Sequence, residues 1–186
     1  MNDKKYLPYK VLHMALMVAT MLVTAVGLFQ MLGRIGGGND WPLLIRIVSS
    51  ITRIIAMGVG ILYLVSGYKK SSAGYYKLFF CLMVVVLILR TMVFLANGMN
   101  AIMVAGSILT IIIAFVLLVG KDLGRDVSLI LLTAMIVIEI LLKLPFSFEG
   151  MSIGQLGGEL SMFMMFGTAG FMMTAKYIDK ELRGTK

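Results

Sequence analysis

Residues 75–119 read YYKLFFCLMVVVLILRTMVFLANGMNAIMVAGSILTIIIAFVLLV, two long apolar runs parted only by Asn97-Gly98-Met99-Asn100. The runs Tyr75 to Ala96 and Ala101 to Val119 each approach the ~20 residues an α-helix needs to cross a hydrocarbon core. A four-residue polar connection containing glycine leaves the chain room only to turn back. The two runs therefore form an antiparallel helical hairpin.

The same pattern extends in both directions from this hairpin. Upstream lie Val11 to Leu32 and Leu43 to Tyr68, the second entered through Trp41-Pro42, with proline at a helix start and tryptophan at interface depth. Downstream lie Val127 to Leu144, stopped by Pro145, and Leu160 to Tyr177. Six spans occupy about 120 positions, which leaves loops too short for a separate soluble domain. Composition agrees: 60% of the 186 residues are apolar and 14% charged, against just under half and about a quarter in soluble domains. The expectation is an all-α, polytopic membrane protein with six transmembrane helices, forming a single domain over residues 1–186.

The formal charge of +8 is sorted by side of the bilayer. Lys4, Lys5, Lys10, Lys69, Lys70, Lys77, Lys121, Arg125, Lys176, Lys180, Arg183 and Lys186 fall on one side. Only Arg34, Arg46, Arg53, Arg90 and Lys143 fall on the other. By the positive-inside rule both termini are cytoplasmic, in a plasma (inner) membrane. With the acids included, the inner side carries a net +7 and the outer half +1. Membrane lipids, with no nucleic acid, are the expected partners of that basic side. Lys4, Lys5 and Lys10 ahead of an apolar run also describe a signal peptide, with Ala25 and Gly27 as a small-residue cleavage site. The run exceeds a typical signal core, and is read as a retained first span. Cys81 has no second cysteine to pair with.

Ionisable residues within the spans concentrate in the outer half. Arg46 and Arg53 lie about 4 to 5 Å and about 15 Å into the second span, Arg90 about 9 Å and Glu139 about 7 to 8 Å below the outer surface. Glu159 opens the sixth span. An Arg, Asp or Lys at a helix centre costs roughly 2.5 to 3.5 kcal/mol even on a lenient insertion scale, so these side chains avoid lipid. Arg46, Ser50 and Arg53 share one stripe of the second span, continued by Met57 and Gly60. Glu139 and Lys143 stand at i,i+4, where an ion pair forms easily.

Two readings of these charges compete. In one, Arg53, Arg90 and Glu139 neutralise one another between helices while Arg46 and Lys143 reach the headgroups. In the other, surplus guanidinium groups hold an anionic or zwitterionic solute in an outward-facing pocket through forked hydrogen bonds. The glycine-rich connection Gly33 to Asp40 suits a mobile flap, and Pro145 to Gly158 supplies Phe146, Phe148 and Met151 as apolar covers.

Other motifs carry less chemistry. His13 is the only histidine, so neither a two-histidine metal site nor a Ser-His dyad can be assembled, and it reads as an interfacial residue. Gly36-Gly37-Gly38 lacks the Gly-Lys-Ser/Thr ending of a phosphate loop. The 17 methionines, five of them Met162, Met164, Met165, Met172 and Met173, suit irregular helix contacts, and Gly167, Gly170 and Thr174 mark close helix packing. No nucleophile, base and oxyanion donors come together, so the chain is not read as an enzyme, and no cofactor or metal is expected.

Ala15-Leu16-Met17-Val18-Ala19 places two alanines one turn apart in the first span, a smooth patch for close approach of another helix. Here the chain resembles the S components of energy-coupling-factor transporters, the substrate-binding membrane subunits of that family. The resemblance covers the whole chain as architecture, and Ala15 and Ala19 are its only sequence motif. It implies six helices with both ends inside and an outward solute pocket under a flexible first outer loop. It also implies that Ala15 and Ala19 dock on a membrane coupling subunit that works with ATPases. The chain has no Walker motif of its own. The functional expectation is a solute-binding or transport subunit using Arg46, Arg53, Arg90 and Glu139. The alternative is a scaffold, oligomeric pore or sensor whose internal charges are structural.

Overall fold

The computed structural model describes residues 3–35, 41–66, 72–98, 101–120, 123–143 and 153–184. These residues form six helices: α1 Asp3–Leu32, α2 Trp41–Ser66, α3 Ser72–Ala96, α4 Ala101–Val119, α5 Arg125–Lys143 and α6 Ile153–Gly184. Four of them contain stretches long and apolar enough to cross a membrane: Pro8–Leu32, Trp41–Ser66, Gly74–Ala96 and Ala101–Val119. The fifth and sixth are more polar, because Arg125, Asp126, Glu139 and Lys143 fall in α5 and the α6 sequence is diluted by glycines and Glu159. Large apolar side chains lie exposed along the outsides, among them Leu22 and Phe29 on α1 and Ile102, Ile112 and Phe115 on α4. Contiguous apolar surface of this kind is at home in lipid, not in water.

The hairpin at the centre of the sequence forms as its spacing requires. Beyond Ala96, Gly98 adopts φ +63°, the left-handed conformation in which glycine carries no Cβ penalty. Asn97 N–H and Gly98 N–H donate to Val93 O and Leu95 O at 3.0 and 3.1 Å. The Asn97 side chain donates to Val93 O as well, at 2.8 Å. Two of the orphan carbonyls at the end of α3, those of Val93 and Leu95, are thus satisfied, and the chain reverses into α4.

The helices close into a ring, each packing on the next and α6 returning to α1, while α6 also touches α2 and α3. Contacts along the ring fix its directions. Thr24 meets Gly157 and His13 meets Thr168, so α1 and α6 are antiparallel. Arg53 lies by Gly158, and Tyr63 bonds Met172 O, so α2 and α6 are parallel. Gly106 lies by Leu142 and Leu132 by Gly170, so α5 runs against both α4 and α6. The helices alternate up and down, and the start of α1 and the end of α6 share one end of the bundle. The opposite end, which carries the Asn97-Gly98 turn, is called the hairpin end below.

Away from the charge cluster the interior is mainly apolar, with a few buried polar side chains such as His13 and Thr168. Met17, Met57, Met83, Met135, Met162, Met165, Met172 and Met173 are all buried, with Phe79, Phe80 and Phe166. Methionine thus serves as the filler of irregular gaps between helices, as its unbranched, polarisable side chain allows.

Three boundaries lie well outside the expected spans: α1 begins at Asp3 instead of Val11, α6 ends at Gly184 instead of Tyr177, and α6 begins ahead of Leu160. The start of the sixth helix was expected at Leu160, with Pro145 to Gly158 as a loop; α6 begins at Ile153. The segment Gly154-Gln155-Leu156-Gly157-Gly158 reads as a loop because glycine is costly inside a helix. The reason for Gly157 and Gly158 is contact. A Cβ on Gly157 would stand 3.0 Å from the backbone N and Cα of Thr24, and one on Gly158 would stand 2.6 Å from Arg53 Nη1.

Candidate functional site

Four ionisable side chains from four helices converge near the hairpin end: Arg53 of α2, Arg90 of α3, Glu139 of α5 and Glu159 of α6. Arg90 Nη1 donates to Glu139 Oε2 in an ion pair whose side chains are 8% and 0% exposed. It joins α3 and α5, whose backbones make no close contact among the described residues. The Arg90 guanidinium also lies over the Phe94 ring, 4.8 Å from its centroid, an attractive cation–π geometry.

Arg53 completes the set. It lies within electrostatic reach of Glu159 and Glu139, which attract it, and of Arg90, which repels it. The residue next to Glu159 is Gly158, and the missing side chain there is what admits the Arg53 guanidinium against α6. The close approach of α6 is held on its other flank by α1. The Thr24 hydroxyl lies 2.8 Å from Thr20 O and 3.2 Å from Gly157 O, and Ser161 donates to Gly158 O at 2.7 Å.

The cluster is incompletely satisfied. Among the described residues, Glu139 Oε1, Arg53 Nε, Ser49 Oγ and Ser107 Oγ are buried and hydrogen-bond to nothing. The great majority of buried polar atoms have a partner in protein or water, so four orphans on α2, α4 and α5 require an explanation. They include a donor, an acceptor and two hydroxyls able to act as either.

The sequence expectations divide on this geometry. Arg53, Arg90 and Glu139 are brought together. Arg46 is exposed on α2 and stands outside the cluster, although its carbonyl accepts from Ser50 at 2.9 Å. Ser50, Met57 and Gly60 of the same stripe are buried. Glu139 takes Arg90 of another helix as its partner, while the side chain of Lys143, expected beside it, lies outside the described residues. So do Gly36 to Asp40 of the expected flap and Phe146, Phe148 and Met151 of the expected cover. Ala15 and Ala19 are exposed on the outer face of α1, facing away from the bundle.

Sequence reasoning missed Ser49, Ser107, Gly157 and Gly158. Ser107 carried a usable signal: it stands as far after the Asn97 to Asn100 turn as Arg90 stands before it, so the hairpin sets the two at one level. His13 was expected at the interface and is buried between α1 and α6. Its Nε2 lies 2.9 Å from Thr168 Oγ1, and its ring tilts against Phe171 at 4.8 Å. Gly167 makes room for it, since a Cβ there would stand 3.0 Å from His13 Cε1.

These features define an all-helical protein of membrane-compatible apolarity with a buried charge cluster near one end. Comparison with protein-family models, with curated proteins and with solved structures finds nothing that matches the chain.

Proposed function

We propose that the chain is an integral membrane subunit that binds a small anionic or zwitterionic solute, or takes part in its transport, through the cluster at its hairpin end. In this reading all six helices cross a plasma (inner) membrane. The start of α1 and the end of α6 are cytoplasmic, and the cluster opens outward. The observation that carries the reading is the pair of buried orphan atoms within the charge cluster, Glu139 Oε1 and Arg53 Nε, accompanied by the buried orphan hydroxyls of Ser49, one turn before Arg53 on α2, and Ser107 on α4. Ionisable groups are expensive at such depth and concentrate where a solute, ion or proton passes. Arg53 and Glu139 contact the solute, Arg90 holds Glu139, and Arg46 stands nearer the surface. The subunit performs no catalysis, and energy for any transport comes from partner ATPases through a coupling subunit. Exposure of Ala15 and Ala19 supports a docking role for the α1 patch, as in the S components of energy-coupling-factor transporters. Native mass spectrometry of the gently purified protein tests the reading. A copurifying small molecule, lost in a folded Arg53→Ala variant, supports it; an empty protein whose Arg53→Ala variant behaves identically removes it.

A second reading is favoured by the Arg90–Glu139 ion pair. Charges that satisfy one another need no solute, and the chain would then be a scaffold, oligomeric pore or sensor. It predicts that Arg53→Ala unfolds the protein and that charge reversal at Glu139 restores it.

A further inference from the structure

We infer that the solute of this cluster is dipolar, carrying a carboxylate or similar acceptor at one end and an ammonium or similar donor at the other, in the size class of a free amino acid. The inference rests on the solute-binding reading above and narrows it. The cluster contains two guanidinium groups and two carboxylates, so its formal charge sums to zero. A monoanion entering it would leave one negative charge uncompensated in a medium of low dielectric, and a monocation one positive charge; either imbalance is heavily penalised. A zwitterion leaves the sum unchanged.

The orphan atoms specify the two ends. Glu139 Oε2 is committed to Arg90, and Oε1 remains as an acceptor that only a donor can satisfy. Arg53 leans one terminal nitrogen against Gly158, and its Nε–H remains as a donor that only an acceptor can satisfy. Ser49 and Ser107, 3% and 2% exposed, add hydroxyls of either sense. Size follows from the ring. The helices α2 and α5 both border α6 and do not touch each other. With packed axes about 8–10 Å apart, they are separated by at most about 20 Å, and Arg53 and Glu139 are near enough across that interval to interact electrostatically. Such an interval suits a molecule of few heavy atoms.

The test uses the full-length protein purified in detergent and dialysed free of small molecules. Titration calorimetry and native mass spectrometry are run with a mixture of the twenty protein amino acids, then with single amino acids against monopoles of matched size, acetate and propionate on one side and methylammonium and ethylammonium on the other. At least one amino acid is expected to bind ten times more tightly than either matched monopole. Ser49→Ala, which leaves every ion pair in place, is expected to weaken that binding at least threefold, and Arg53→Gln at least tenfold. A monopole that binds as tightly as its matched amino acid overturns the dipolar assignment while leaving solute binding intact. The same holds if no probe binds but another molecule copurifies with the protein. If no probe binds and nothing copurifies, both the assignment and the solute-binding reading fall.

Discussion

Polar contacts join α6 to its neighbours at two levels of the bundle, and they are built differently. At the level farther from the hairpin end, the Thr168 hydroxyl donates to Met164 O at 2.8 Å and so accepts from His13 Nε2–H at 2.9 Å. The Met17 sulfur lies 3.3 Å from the same hydroxyl, and Phe171 covers the imidazole. That contact is closed, each of its polar atoms meeting a partner from α1 or α6. Near the hairpin end, four charges from four helices leave a carboxylate oxygen and a guanidinium N–H open, and the buried hydroxyls of Ser49 and Ser107 are likewise unbonded among the described residues. Both levels fasten helices, but only the second retains unused hydrogen-bonding capacity. The difference separates a packing device from a place that can receive a molecule.

The comparison is most severely strained by breaking the ion pair. Glu139→Ala leaves Arg90 buried without its counterion and should lower stability by about 3–5 kcal/mol, read as loss of folded protein across a denaturant series in detergent. The double replacement Arg90→Met with Glu139→Leu should recover most of that loss, since an apolar pair of similar volume often substitutes well for a buried ion pair. It should nevertheless bind no solute. If the double variant binds as the parent does, the cluster is only glue.

A smaller effect distinguishes two adjacent glycines. Gly157→Ala forces a methyl group against the Thr24 backbone, which cannot step aside, and should cost about 1–3 kcal/mol as overpacking does. Gly158→Ala meets only the tip of Arg53, a flexible side chain. It should melt close to the parent but displace the guanidinium and weaken solute binding. Equal stability losses at the two positions would break the assignment of Gly157 to helix packing and Gly158 to the site.

The smallest expected effect lies at the closed contact. Thr168→Val removes the acceptor of His13 and should cost about 1 kcal/mol in the same denaturation series, with solute affinity unchanged. A change in affinity there would show that the two levels are coupled.

The helices were legible in the sequence because long apolar runs bounded by Gly, Pro and charged residues admit few other structures; the hairpin turn at Asn97-Gly98 is the clearest case. The start of α6 was not. Gly157 and Gly158 look like loop residues until Thr24 and Arg53, more than a hundred positions away, are seen against them. The charges were legible as a set, and mutual neutralisation of Arg53, Arg90 and Glu139 was one of the two readings, but which of them pair directly was not legible. Local spacing offers Glu139 to Lys143, whereas the ring presents Arg90 to it from α3. Helical periodicity likewise puts Arg46 and Arg53 on one stripe, but only Arg53 is deep enough to reach α6. The exposure of Ala15 and Ala19 was open too, since a small-residue patch serves equally well inside a bundle or on its surface.

The central claim is that the cluster at the hairpin end is reached from outside the membrane. Its most direct test introduces Ser49→Cys or Ser107→Cys in a Cys81→Ser background and exposes intact cells to a charged, membrane-impermeant thiol reagent. The account predicts labelling from outside that slows when a bound solute occupies the site. No labelling in intact cells, with both variants folded and reactive only after denaturation, would contradict it.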